Sequence, residues 1–278
     1  MLRHHSILVS KSVFITSPNE RIQQMIHFKK YGQQGEALVV IHGLFGNSDN
    51  WHSIAQSLSE HFTVYCLDLP NHGKSSPLID ASYDIMANEV NAWMQQENLN
   101  ECFMLGHSMG GKVAMQFASQ FPDKVTRLIV ADIAPVNYDS SHHRIFDGLK
   151  AIDIKKIQNR KEADTILADY VEILGVRQFL LKSLIKTEEG FAWQIQIDNL
   201  FNNYAKIRAT PPFDKVYQGD TLFIKGENSD YIQAEHKDAI LTWFPKAQVK
   251  MIPATGHWLH AEKPLPFTSL VKRFCQKS

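Results

Sequence analysis

The chain has 278 residues, 44% of them hydrophobic, and its 29 basic residues balance 29 acidic ones. That length suits one large α/β domain or two small ones around a sizeable core. A net charge of zero offers no field to gather nucleic acid or an anionic membrane surface. Cys66, Cys102 and Cys275 lie far apart and in no metal or redox spacing, so buried thiols in a reducing cytoplasm are expected and no disulfide framework is implied. No apolar run is long enough to cross a bilayer, which predicts a soluble protein.

The first stretch, MLRHHSILVSKSVFITSP, is basic and hydroxyl-rich without an acid, a faint likeness to an organelle transit peptide. Arg is scarce in it and SVFITS alternates as a strand does, so a lead-in to a first strand is the favoured reading. From residue 22 short apolar runs alternate with longer amphipathic ones, the rhythm of parallel βαβ units. ALVVIHG (37–43) reads as a buried strand, DNWHSIAQSLSE (49–60) as a helix and FTVYCLDLP (62–70) as the next strand, ended by Pro70 and NHGKSS. Segment 83–99 puts Ile85, Val90, Trp93 and Met94 at helical spacing. CFMLGH, the helix GKVAMQFASQF closed by Pro122, and RLIVADIAP follow. After Pro135 the rhythm breaks. Residues 136–212 read as helical, with no convincing strand, and suggest an inserted cap ended by Pro211-Pro212. Alternation resumes in DTLFIKGENSD, AEHKDAILTWFP and QVKMIPATGH, so 1–135 and 213–278 are expected to form one core around that cap.

In LGHSMGGKVAM (105–115) a serine stands between glycines after an apolar run and before a helical one. Gly-x-Ser-x-Gly alone is common, but strand before and helix after is the setting of a nucleophile elbow, whose tight backbone needs glycine around the serine. A hydroxyl becomes a nucleophile only beside a base that a third group orients. Ser108 is therefore the candidate nucleophile, and His257, which follows a strand and a glycine in MIPATGHWLHAEKP, the candidate base. His260 reads as packing or exposed, and no further ligand supports a metal at His257, His260 and Glu262. Asp132 and Asp230 both end strands in the right region; strands lie about 4.8 Å apart, so sequence geometry leaves either able to serve as the acid. In HGLFGN (42–47) the backbone N–H of Leu44 is placed to stabilise an oxyanion together with that of Met109. His107 reads as a packing neighbour, and His142 and His143 as solvated.

HGLFGN, DLPNHGKS, GHSMGG, ADIAPV and GHWLHAEKP occur in that order. With them the chain, over about residues 22–277, resembles the α/β-hydrolase superfamily, and more narrowly the YbfF-type bacterial esterases and related abhydrolase-domain proteins. The resemblance implies an α/β-hydrolase fold: a mostly parallel eight-stranded sheet flanked by helices, with an inserted helical cap, a Ser/Asp/His triad and no cofactor. Many members carry the acid three residues after the glycine ending the seventh strand; counted from Gly226 that place holds Ser229, and Asp230 is one position late. ADIAPV resembles the subgroup whose acid follows the sixth strand, which favours Asp132.

Serine rather than aspartate at the elbow disfavours alkyl-ester chemistry of the dehalogenase kind and points to acyl transfer. Three functions remain open: a carboxylic-ester hydrolase, an acyl-CoA thioesterase on the same residues, and a receptor that keeps the fold to bind a ligand. Phe45 and His42 beside the oxyanion turn, with Phe179, Leu180 and Trp193 of the cap, are candidates to line a substrate pocket, although helix packing accounts equally for the cap residues. Lys150, Lys155, Lys156, Arg160 and Lys161 would suit the phosphates of a CoA ester, against the plainer reading of a solvated helix face.

Overall fold

The computed structural model describes residues 26–276. The main sheet is built from β1 (Phe28–Tyr31), β2 (Ala37–Ile41), β3 (Thr63–Leu67), β4 (Cys102–His107), β5 (Val125–Ala131), β8 (Thr221–Gly226) and β9 (Ala247–Ile252). Their spatial order is β1-β3-β2-β4-β5-β8-β9, with every neighbouring pair parallel except β1 against β3. Seven strands thus stand in the sheet among the described residues, where eight were expected; the SVFITS stretch and its targeting alternative lie outside those residues.

Strand alternation explains why helices cover both faces. In β2, Val39 and Ile41 pack on one side and Leu38 and Val40 on the other; β4 divides Met104 from Phe103 and Leu105 in the same way. A strand buried on both faces reads as a continuous apolar run, which ALVVI and CFML do. On one face lie α2 (Tyr83–Gln96) and α3 (Met109–Gln120), and on the other α1 (His52–Leu58) and the helix Pro264–Cys275. The chain runs from β2 outward to β3, then returns to β4 and continues in the other direction to β5, β8 and β9. The strand order therefore reverses between β2 and β4, where the carboxyl ends open a crevice in sheets of this kind.

Between β5 and β8 the chain forms α4 (His143–Ala151), α5 (Arg160–Ala168), α6 (Leu174–Leu180), α7 (Ile197–Asn202) and α8 (Tyr204–Arg208). The expectation of no strand there is corrected: β6 (Leu184–Thr187) and β7 (Gly190–Trp193) pair antiparallel, with Thr187 opposite Gly190 across the turn residues Glu188 and Glu189. Gly190 sits at φ 127°, a conformation open to glycine and strained for other residues. Four-residue strands are too short for periodicity to distinguish from helix.

Lys112 fastens this insertion to the core. It lies on α3 one turn after Ser108, and its side chain is almost wholly buried, at 1% exposure. Its ammonium donates to the carbonyl of Val136, where the chain leaves the core, at 2.8 Å, and to those of Arg208 and Ala209, where it returns, at 3.0 and 2.7 Å. The Tyr138 ring lies 4.7 Å beneath the charge. Burial pulls the amine down to about 7, so the three carbonyls and the ring are what hold an ammonium there. Lys112→Met leaves those carbonyls without a donor and is expected to cost about 3 kcal/mol, read as a lower urea midpoint at unchanged slope. A loss below about 0.5 kcal/mol would show that the carbonyls find other partners.

Candidate active site

Ser108 links β4 to α3 at φ 53° and ψ −123°, a conformation that a side-chain-bearing residue adopts only when its surroundings enforce it. Two glycines permit the fold-back. A Cβ on Gly106 would lie 2.2 Å from the Gly110 carbonyl oxygen, and one on Gly110 would lie 2.3 Å from that of His42. The Ser108 amide donates to the Ala131 carbonyl at 3.0 Å, and its own carbonyl accepts from the Lys112 amide at 3.1 Å. The turn is thus anchored at both ends.

The loop after β9 brings His257 to the serine. His257 Nε2 is 3.0 Å from Ser108 Oγ, and its Nδ1 is 2.8 Å from Asp132 Oδ2. Asp132, fully buried at φ 52°, accepts the Gly226 amide on Oδ1 at 3.0 Å and the Ser229 hydroxyl on Oδ2. Of the two aspartates that end strands here, Asp132, which the resemblance favours, meets His257 and Asp230 does not. Asp230 is exposed, and its carboxylate accepts from Gln233 Nε2 at 3.1 Å. Ser229, three residues after Gly226, donates to Asp132. Tyr231 stacks on the His257 ring with centroids 3.9 Å apart, and His107 Nε2 donates to the His257 carbonyl at 2.8 Å. His107 is more than a packing neighbour, because it holds the backbone from which His257 projects.

The HGLFGN segment closes a turn in which the Gly46 amide donates to the Gly43 carbonyl at 3.0 Å. Phe45 lies at φ 65°, and its amide donates to His72 Nε2 at 3.2 Å. His72 Nδ1 in turn donates to the Pro70 carbonyl at 3.0 Å. Asp68 shapes that loop by accepting the amides of Ser48 and Lys74 at 2.6 and 2.9 Å, which gives the DLPNHGKS motif a structural purpose. The Leu44 amide follows Gly43 in this turn, the Met109 amide lies in the first turn of α3, where helical N–H groups have no intrahelical partner, and both residues border the same pocket as Ser108.

His42 was expected among the substrate-contacting groups. Its ring borders the pocket, but Nδ1 donates to the Gly43 carbonyl at 2.8 Å and Nε2 accepts from the Leu69 amide at 3.0 Å. Both nitrogens tie strand ends together, so the ring offers no polar contact to a ligand.

A cavity of about 320 Å³ opens over Ser108 and His257. Phe45, Phe179 and Leu180 line it, whereas Trp193 does not; as a β7 residue it packs half-buried against the hydrophobic core. His142, expected to be solvated, also lines the pocket, half-buried, with Nδ1 2.7 Å from the Tyr204 hydroxyl. The cationic segment stays apart: Lys150 pairs with Asp198, Lys156 with Asp153, and Arg160 donates to the Leu184 carbonyl. Among the described residues no group of His, Cys, Asp and Glu gathers as a metal site.

This fold and this crevice define an α/β hydrolase. Residues 36–165 match the family described as alpha/beta hydrolase fold, and the chain belongs to that family. It is 39% identical over 246 residues to the protein of Mus musculus named sn-1-specific diacylglycerol lipase ABHD11, covering 86% of this chain and 80% of that one. Esterase YbfF of Escherichia coli strain K12 is 33% identical over 240 residues, covering 85% and 92%. A solved structure titled marine microorganism esterase superposes with a TM-score of 0.88 at 41% identity, covering 90% of this chain and 99% of that chain.

Burial keeps the surrounding histidines uncharged. It depresses His72 and His260 to about 3, and lowers His42 and His107 from their ordinary value. In the unfolded chain each would titrate near 6.5. Between about 3 and 6.5 the unfolded state therefore binds more protons, so stability falls as pH falls through that window. Moving from pH 7.5 to pH 5 is expected to cost about 2 kcal/mol for each of His72 and His260, measured by urea unfolding at both pH values. Equal stability at the two would show that these rings protonate in place.

Proposed function

We propose that the chain is a serine hydrolase of carboxylic esters that works through an acyl-serine intermediate. The observation that carries the reading is the unbroken series Ser108 Oγ, His257, Asp132, at 3.0 and 2.8 Å, at the foot of a largely apolar cavity. Ser108 Oγ attacks the ester carbonyl carbon as its proton passes to His257 Nε2. Asp132 accepts from Nδ1 and stabilises the charged ring that results. The amides of Leu44 and Met109 receive the developing oxyanion. Collapse expels the alcohol, which takes the proton from His257; water activated by the same ring then releases the acid. The names of the relatives, esterase and diacylglycerol lipase, support an ester substrate.

In this reading residues 136–212 serve as the cap, since Phe179, Leu180 and His142 from that stretch share the pocket wall with Ser108. An acyl-CoA thioesterase has less support, because none of Lys150, Lys155, Lys156, Arg160 and Lys161 lines the pocket. The three cysteines are free and buried, which suits a reducing cytoplasm. Among the described residues no helix is long and apolar enough to cross a membrane.

A fluorophosphonate probe is expected to label the wild type and not Ser108→Ala; labelling of both, or of neither, would remove the activated serine and favour a receptor. Asp132→Asn is expected to lower kcat by about 10⁴-fold and Asp230→Asn by less than about twofold, as an exposed change should. A larger loss at Asp230 would overturn the assignment of the acid.

A further inference from the structure

The pocket wall contributed by the insertion contains a hydrogen-bonding device that the acyl-transfer scheme does not use. The hydroxyl of Tyr204, at the start of α8, accepts the backbone amides of Ser141 and His142 at 3.2 and 3.1 Å. A phenol oxygen has one proton to give and two lone pairs to accept with. The two amides fill those lone pairs, so the proton can only be donated, and the group 2.7 Å away is His142 Nδ1. The Ser141 hydroxyl, 3.1 Å from the same nitrogen, is a second possible donor. Nδ1 is therefore an acceptor, and in a neutral imidazole the proton must then reside on Nε2. Burial and the nearby His257 lower His142 to about 4, so the ring stays neutral through the physiological range.

Nε2–H is thus a fixed donor for which no protein acceptor is found among the described residues. His142 is only half-buried and lines the cavity that Ser108 and His257 share. Its ring lies 6.3 Å from that of Phe45, the residue after Leu44 in the oxyanion turn, and 5.6 Å from that of Tyr204. Beside it stand the polar groups of Ser141 and Tyr204, whereas Val176, Phe179, Leu180 and Trp258 offer carbon to the same pocket; the rings of Phe179 and Trp258 lie 6.0 Å apart. One pocket thus presents an apolar wall suited to an acyl chain and a separate donor suited to oxygen.

We propose that His142, oriented by Tyr204, is a specificity-determining residue whose Nε2–H binds a second oxygen on the alcohol part of the substrate, so that esters of polyhydroxy alcohols are preferred to plain alkyl esters. The inference rests on the ester-hydrolase reading above and adds to it the class of alcohol. A donor that bound substrate shields from water and that a plain alkyl ester leaves unpaired carries a penalty that an oxygen-bearing alcohol removes.

Glyceryl monobutyrate and n-propyl butyrate share an acid and a three-carbon alcohol, and differ in hydroxyl groups. The wild type is expected to show the higher kcat/KM on the glyceryl ester. His142→Phe should shrink the ratio of the two values by about tenfold, and Tyr204→Phe, which frees the tautomer, should shrink it by less. His142→Gln, which keeps an N–H donor at similar reach, should restore part of the preference. Nitrogen-15 shifts of the His142 ring in wild-type protein at pH 7, which need no variant to fold, should report Nδ1 unprotonated and Nε2 protonated. A ratio unchanged in His142→Phe, a proportional fall on both esters, or a protonated Nδ1 would each overturn the proposal. A wild type that hydrolyses neither ester and takes no fluorophosphonate would instead overturn the ester-hydrolase reading on which it rests.

Discussion

The approach of Gly110 to the end of β2 is the contact on which the rest of the site depends. Its Cα side faces the carbonyls of Ile41 and His42 so closely that a Cβ would lie 2.5 and 2.3 Å from their oxygens. No residue with a side chain fits without moving backbone. Because α3 is seated there, its first amide lies beside the turn that follows β2, and Ser108 is forced to φ 53° in joining the two. The strain at the serine follows from helix–sheet packing, and its hydrogen bonds to the Ala131 carbonyl and from the Lys112 amide keep it from relaxing.

Lys112 extends that constraint from the core to the insertion. It stands on α3 one helical turn from the serine, and from the helix that Gly110 seats it reaches the two points where the insertion begins and ends. The same helix therefore sets the floor of the cavity and the attachment of its roof. Further ties hold the insertion: Gln116 Nε2 on α3 donates to the Pro212 carbonyl at 3.2 Å, and the Gln196 amide donates to the Asn71 carbonyl at 2.9 Å.

Much of this was legible in the sequence because local rules and the fold agree. Buried parallel strands write themselves as apolar runs, as in ALVVI and CFML, and the glycines of GHSMGG announce a backbone that must fold back. What was illegible depends on contacts between distant residues. Position alone gives Asp132 and Asp230 equal claims and only the resemblance favours Asp132; the fold adds that Ser229 and Gly226 donate to Asp132 while Asp230 faces outward to Gln233. Lys112 reads as an ordinary surface lysine after two glycines, since its three carbonyl partners lie between 24 and 97 residues away. The β6–β7 hairpin is too short to carry a period. His142 looks solvated because the tyrosine that fixes it stands 62 residues further along the chain.

The histidines around the site show how one residue type serves opposite purposes. His42 and His72 each donate from one nitrogen to a carbonyl and accept a backbone amide on the other. Such an arrangement requires the neutral ring, because a protonated imidazole has no lone pair with which to accept. His107 and His260 are buried beside His257, and its proximity adds to burial in lowering both. His257 is the exception: Nδ1 faces a fully buried carboxylate and Nε2 a hydroxyl, a pairing that tolerates a positive ring. Acyl transfer needs one imidazole that gains a proton and loses it again, and neighbours that do neither. A second charged ring a few ångströms away would oppose the first. The deep burial of the supporting histidines therefore does more than pack the core: it reserves the positive charge for the one ring that has Asp132 to balance it.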